Sequence, residues 1–437
     1  MIKKSFIGLT KPRFIYESTE GMSAEPEKIP EPKKVTLFIK GNYDRQDLAL
    51  IKTGDKVNTG QKLLLYEDCD EYAISSVTGT VSSVSSYTGD FGQSYAAVSI
   101  TVSGNEEDEQ CKKICKELTL ENAADYLLPA PGCPSLKSFS NPEKPIDIIV
   151  ICGLDSDLLV TTNQHVIKSE TYAIDRGISA LKKITGVGNV IIALPPHLTK
   201  AASGIGGASG AEIRVIDSEY PSALPHMIAA KILGKAVPAG ASFEDMGMCF
   251  FSAEAVASVG KAVEGRIPVT KTLTLIKKDM SKVMVEAKIG TPISDIFNAC
   301  DVTLKNMDRI IIGGPMRGSS VFSEDHPVQA DTDAIMVQDS EDVSLVSDYP
   351  CVNCGECIRI CPANVPVSMI VRLCEAEEYE TAADQYDLYS CIECGLCSFV
   401  CTAKMPIFQY IRLAKYELAK MNAMEQTEEE ETEAADA

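Results

Sequence analysis

Apolar positions along this 437-residue chain change period several times, and each change marks a change of architecture. Residues 1–30 are polar and rich in Pro and Glu, and they read as an extended lead-in. From Val35 short β-rich runs follow one another at 35–39, 61–66, 72–77, 79–84 and 96–102. Gly54-Asp55 and Gly60 place tight turns between them, and Gly79 kinks the run Ser76-Val-Thr-Gly-Thr-Val81. An acidic linker at 106–109 leads into helical spacing over 110–128, ended by Pro129, Pro131 and Pro134. Continuous apolar runs at 146–152, 189–194 and 212–216 have the texture of buried parallel strands. Val166, Ile167, Ala173, Ile174, Ile178 and Leu181 give the segment 164–184 a helical face. Strands at 271–276, 283–287 and 309–312 with a helix at 293–300 come next, then an acidic linker over 331–348. Helical periods at 367–379 and 407–421 close the pattern, with Ile370, Leu373, Ile411 and Leu418 on the apolar face.

These elements predict a multidomain α/β protein. Residues 1–30 form an N-terminal extension, and residues 31–104 resemble the barrel-sandwich hybrid of lipoyl and biotinyl carriers. Val77-Thr78-Gly79 offers no lysine for a carried group, so this part is expected to act as scaffold. The β-α-β-α-β order within 105–265 predicts a Rossmann-like domain. A strand pair, a helix and a return strand over 266–342 suit a β-grasp, SLBB-like module. Residues 343–420 form a cysteine-rich helical domain, and 421–437 an acidic tail expected to be disordered.

Composition narrows the function. The chain carries 62 acidic against 41 basic residues, a net charge of −21, which argues against a phosphate-binding surface for nucleic acid. No apolar run approaches a membrane span, the longest being 146–152, and the N-terminus shows no apolar signal core. The expected location is therefore cytoplasmic, with any membrane association on the inner face made through partner subunits.

The strongest chemical signal lies in the 16 cysteines. Cys351, Cys354, Cys357 and Cys361 follow the spacing C-x2-C-x2-C-x3-C, and after 29 intervening residues Cys391, Cys394, Cys397 and Cys401 repeat it. This run holds [4Fe–4S] clusters in bacterial two-cluster ferredoxins, where the fourth cysteine serves the other half's cluster. One cluster is therefore expected on Cys351, Cys354, Cys357 and Cys401, and the other on Cys391, Cys394, Cys397 and Cys361. Gly355 and Gly395 fall where the backbone must pass close to inorganic sulfide. Pro362 follows the first run, while Thr402 takes its place after the second. Structural zinc, the alternative, prefers two CxxC pairs a dozen or so residues apart, a poor match to overlapping quartets. The other eight cysteines (Cys69, Cys111, Cys115, Cys133, Cys152, Cys249, Cys300 and Cys374) are scattered and read as small buried apolar residues in a reducing compartment.

Two glycine-rich segments compete as phosphate cradles. Gly204-Ile-Gly-Gly-Ala-Ser-Gly210 follows helix and precedes strand, the reverse of the order that aims a helix N-terminus at an anion. Gly313-Gly-Pro-Met-Arg-Gly318 follows a strand and reads as a sharp structural turn.

The order of parts resembles the RnfC family, a component of the Rnf electron-transport complex, over residues 35 to 420. The resemblance is most specific at Gly290-Thr-Pro-Ile293, Gly313-Gly-Pro-Met316 with Gly318, and the two cysteine quartets; Tyr220-Pro221 and Pro238 to Gly247 match less closely. It implies FMN on the Rossmann-like part accepting hydride from NADH, then electrons passing through the clusters to membrane partners, coupled to ion translocation; ferredoxin is a further implied partner. One departure bears on this. The family's glycine run ending in Gly-Phe-Pro-Thr is here Ala130-Pro-Gly-Cys-Pro-Ser-Leu136, and its acidic Glu-Cys-Glu-Pro phrase is Cys152-Gly-Leu-Asp-Ser-Asp157. Prolines remove the backbone donors a flavin phosphate needs. The cluster half is intact and the NADH/FMN half degenerate, with Asp155 and Asp157 where the family's acidic residues stand. Two readings follow: an electron-wire subunit without flavin, or an NADH-oxidising, FMN-containing dehydrogenase subunit of the same architecture. No residue is assigned a catalytic role.

Overall fold

The structure, a computed structural model, describes residues 11–23, 25–205, 209–343, 346–347 and 349–436, with backbone only at 46 and 426–436. The chain divides into two compact units. The larger holds Ile15–Lys235 and Ser242–Asp342; the smaller holds Val343–Ala437, Ala236–Ala241 and the stretch ending at Phe14. It is a mixed α/β, multidomain architecture, and residues 31–342, where three domains are expected, lie in the larger unit apart from Ala236–Ala241.

An antiparallel sheet opens the larger unit, with strands Lys34–Lys40, Ser94–Val102, Gly79–Thr88 and Lys56–Val57 in that spatial order. Alternation puts Val35, Leu37, Ile39, Val81, Val98 and Ile100 into one core, with the hairpin Lys62–Leu64 and Tyr72–Ile74 packing Leu63 against it. Gly79 is required there, since a Cβ would strike the Thr101 carbonyl oxygen.

Next comes a four-stranded parallel sheet in the order Glu212–Val215, Asn189–Leu194, Ile148–Cys152, Met248–Ser252. The first three strands fall on the apolar runs at 212–216, 189–194 and 146–152; Met248–Ser252 was not among the expected strands. Because it joins the sheet on the far side of Ile148–Cys152, strand order reverses there, the place where open α/β sheets leave a crevice at the strand carboxyl ends. Helices Thr162–Ser169, Thr171–Thr185 and Ala253–Val263 bury the sheet, with Ile149, Ile151, Ile174, Ile178, Val256 and Val259 in the core. The helix expected over 164–184 is thus two, broken at Glu170. Likewise 110–128 becomes Glu109–Lys116 and Leu120–Tyr126, because Thr119 caps the second helix and shares a capping box with Asn122.

The third sheet is mixed and six-stranded, in the order Glu27–Lys28, Lys282–Lys288, Thr270–Ile276, Ala334–Gln338, Arg309–Ile312, Ser319–Val321, with helix Ile293–Ala299 on its core. One expectation needs correction. The segment 331–348 is not simply a linker, since Ala334–Gln338 is an interior strand, parallel to Thr270–Ile276 and antiparallel to Arg309–Ile312. Its buried Ala-Ile-Met-Val core outweighs the flanking acids. The lead-in is also docked: Glu27–Lys28 pairs with Val285 and Glu286, and Tyr16 is buried beside Tyr220.

The smaller unit is helical: Glu356–Ile360, Val367–Glu375, Tyr379–Tyr386, Leu396–Val400 and Ile407–Asp436. Val367, Ile370, Val371, Ile411, Ala414 and Leu418 form its core, while Leu373 is half-buried. The helix expected to stop near Met421 runs on to Asp436, through the segment expected to lack regular structure, where Glu, Ala and Met are good helix formers. Among the described residues no helix is long and apolar enough to cross a membrane.

Candidate metal centres

The two cysteine runs fold alike, each feature recurring 40 residues on. Asn353 and Glu393 take φ of 56° and 53°, and Gly355 and Gly395 take 72° and 71°. These left-handed residues coil each run into a tight loop before the short helices Glu356–Ile360 and Leu396–Val400. The fourth cysteine ends each helix in extended geometry, at φ −61°, ψ 119° for Cys361 and φ −62°, ψ 115° for Cys401. Asn364 and Lys404 then turn left-handed again, before Pro366 and Pro406 start the long helices. Glu393 is secured in its unfavourable backbone state by an ion pair with Lys415 at 2.9 Å.

The eight thiols line two recesses. Cys351, Cys354 and Cys357 from the first run meet Cys401 from the second, in a recess of about 390 Å³ with its open mouth included. Cys391, Cys394 and Cys397 meet Cys361, in one of about 340 Å³ on the same measure. Apolar side chains fill in the walls: Val352, Val371, Met405 and Ile407 for the first, Val367, Ile392, Phe408 and Ile411 for the second. Among the described residues, no three His, Cys, Asp or Glu side chains are grouped so as to hold a single ion.

Burial holds the thiol of Cys357 up at about 11 and that of Cys394 at about 12, and pushes those of Cys391 and Cys397 up as well. Backbone N–H groups oppose it in matching places: Glu356 donates to Cys354 and Leu396 to Cys394, Ile358 to Cys357 and Ser398 to Cys397. Cys354 behaves otherwise: the Thr402 hydroxyl, 3.4 Å away, holds its thiol below the ordinary range. Met405 N–H donates to Cys401 Sγ at 3.4 Å. Thiols ringed by amide donors and dry walls fit the demands of an iron–sulfur cluster, which needs deprotonated sulfur and hydrogen bonds to it.

A flavin phosphate finds no comparable welcome. In the loop 130–136, Gly132 N–H bonds to Ala330 O at 2.9 Å and Cys133 N–H to Ala130 O at 2.8 Å. The Ser258 hydroxyl holds Pro131 O, and a Cβ on Gly132 would strike the Ala255 backbone nitrogen, so the loop is pressed onto the start of helix Ala253–Val263. The loop at Gly313–Gly318 is filled from within: Asp157 accepts from Met316 N–H and, at 2.7 Å, Arg317 N–H. Burial raises the Asp157 carboxyl to about 6. Of the segment 204–210, residues 206–208 lie outside the described residues.

The crevice at the sheet's reversal is also occupied by the chain's own groups. Asp155 accepts from Asn163 N–H at 2.8 Å, and the Asn163 side-chain Oδ1 accepts from Glu254 N–H. Glu254 pairs with the fully buried Lys271, which bonds Asp333 at 2.9 Å. Sequence reasoning placed Asp155 but missed Asn163, Glu254, Lys271 and Asp333, which come from separate segments. It also missed the turn pair at 364 and 404, which aligning the chain with itself at the 40-residue offset would reveal.

No protein-family model matches the chain. Its curated homologues are RnfC-type proteins, the C components of ion-translocating oxidoreductase complexes. It is 25% identical over 411 residues, 88% of each chain, to the C component of the proton-translocating ferredoxin:NAD(+) oxidoreductase complex of Clostridium ljungdahlii. Identity is 26% over 230 residues to the C component of the Na(+)-translocating ferredoxin:NAD(+) oxidoreductase complex of Acetobacterium woodii, covering 51% of this chain and 52% of that one. With the C component of the ion-translocating oxidoreductase complex of Pectobacterium atrosepticum it is 22% over 386 residues, 84% of this chain and 56% of that one. The chain thus spans about half the length of two of these relatives and most of the third. Among solved structures, a chain of an NAD+-reducing [NiFe]-hydrogenase in the H2-reduced state is similar at a TM-score of 0.46 and 10% identity, over 72% of this chain and 68% of that one.

Proposed function

We propose that this chain is the iron–sulfur electron-transfer subunit of an Rnf-type, membrane-associated oxidoreductase complex. Two [4Fe–4S] clusters, one on Cys351, Cys354, Cys357 and Cys401 and one on Cys391, Cys394, Cys397 and Cys361, pass electrons to or from membrane partners. Ion translocation is coupled in those partners, and the chain sits on the cytoplasmic face through them. The observation that carries this reading is the pair of recesses, each lined by three thiols of one run and the fourth of the other. Four sulfurs spread round a recess suit the corners of a cubane better than the single point a zinc ion occupies. In the same reading, 31–104 is a barrel-sandwich hybrid scaffold, 105–265 a Rossmann-like domain, 266–342 an SLBB-like β-grasp module and 343–420 the two-cluster domain.

The wire reading assigns no flavin to the chain, because backbone donors of the loops 130–136 and 313–318, Gly132, Cys133, Met316 and Arg317 among them, are spent on the protein itself. Anaerobic purification with iron, sulfide and flavin analysis tests it. The expected result is about eight irons per chain and no stoichiometric FMN; tight FMN, or zinc in place of iron, overturns it. The dehydrogenase reading is supported by the parallel sheet, which keeps the strand-order reversal where nucleotides bind in open α/β folds. It requires that NADH alone bleach the clusters.

A further inference from the structure

The two halves differ at one place that touches sulfur. After the fourth cysteine the first run has Pro362 and the second has Thr402. Each lies in the wall of the recess across from its own run, Pro362 near Cys394 and Thr402 near Cys354. Proline has neither hydroxyl nor N–H to give. Thr402 gives both toward Cys354: its hydroxyl stands 3.4 Å from Sγ, and its backbone N–H adds a second donor. Cys354 is the exposed member of the eight, whereas Cys394 is buried.

Resting on the cluster assignment proposed above, we infer that Thr402 is a positioning residue that raises the reduction potential of the cluster held by Cys351, Cys354, Cys357 and Cys401, by donating to the Cys354 sulfur. One added electron increases the negative charge shared by a cluster's sulfurs, so a donor aimed at one of them bonds the reduced form more strongly than the oxidised. Removing that donor destabilises the reduced form and lowers the midpoint. The other cluster, with Pro362 at the matching place, is an internal control within the same molecule.

The test is a mediator-poised titration followed by electron paramagnetic resonance, on full-length protein with its iron content measured first. Thr402→Val, which keeps the N–H, is expected to move one of the two midpoints to lower potential and leave the other in place. Thr402→Pro, which removes both donors, is expected to move that same midpoint further, and Thr402→Ser to restore the wild-type value. Unchanged midpoints in Thr402→Val, or an equal shift of both, overturn the inference. So does loss of one cluster in Thr402→Val with both kept in Thr402→Ser, which makes the hydroxyl a retention contact instead. Absence of iron from the wild-type protein sinks the cluster assignment itself and is distinct from all of these outcomes.

Discussion

Asp155 stands at the carboxyl end of a central strand with 1% of its surface exposed, and its Oδ2 has no hydrogen-bond partner. Burial, aided by the nearby Asp333, raises its carboxyl from the ordinary 3.8 to about 7, against the pull of the Asn163 and Gln164 N–H groups. Between those two values the folded chain binds a proton that the unfolded chain releases. The stability this confers is complete below about pH 4 and is lost as the pH climbs through 7. Asp155→Asn keeps the acceptor used by Asn163 and removes the buried charge. It should raise the unfolding free energy by about 1–3 kcal/mol at pH 8 and by little at pH 4. Chemical denaturation at the two pH values checks this, and equal effects at both would refute it.

At the level of elements, helices Thr171–Thr185 and Ala253–Val263 cross backbone to backbone. A Cβ on Gly260 would lie 1.9 Å from Ala173 O, and one on Gly177 would lie 2.0 Å from Val256 O. Neither helix can yield without moving the parallel sheet beneath it. Gly260→Ala is therefore expected to cost about 1–3 kcal/mol, more than the small gain its helix propensity brings, and to lower the thermal midpoint measured by circular dichroism. Sequence pattern located the apolar runs of Ile148–Cys152 and Asn189–Leu194, because a strand buried on both faces prints itself as a continuous run, whereas Glu212–Val215, expected to be buried like them, is an edge strand exposed or half-buried throughout. It failed where the local signal is short or masked. Met248–Ser252 has five residues, and Ala334–Gln338 lies among acids that made the whole stretch look like linker. The helical spacing over 110–128 and 367–379 is interrupted in the structure, because a capping box at Thr119 and a left-handed Glu377 break the helices without any proline or glycine. Neither break leaves a mark on hydrophobic period.

For the whole molecule, the candidate site divides in the same way. The eight cysteines were legible because their chemistry lies in spacing along one dimension. The run Asp155, Asn163, Glu254, Lys271 and Asp333 was not, since five segments must fold before it exists. The recesses also make a prediction that crosses the motifs. Cys401→Ala, a change in the second run, should strip iron first from the recess of Cys351, Cys354 and Cys357; Cys361→Ala should do the reverse. Iron content is expected to fall by about half or more in each. Cluster-specific resonance signals would show which is lost, and loss confined to the mutated run's own three cysteines would contradict the exchange.

That exchange of fourth thiols bears on descent. The second run repeats the spacing of the first 40 residues on, and a repeat is ordinarily free to decay while its twin keeps working. Here each twin holds a part its sibling cannot supply. On the cluster assignment proposed above, decay of a whole run takes thiols from both recesses, so neither run can be shed alone.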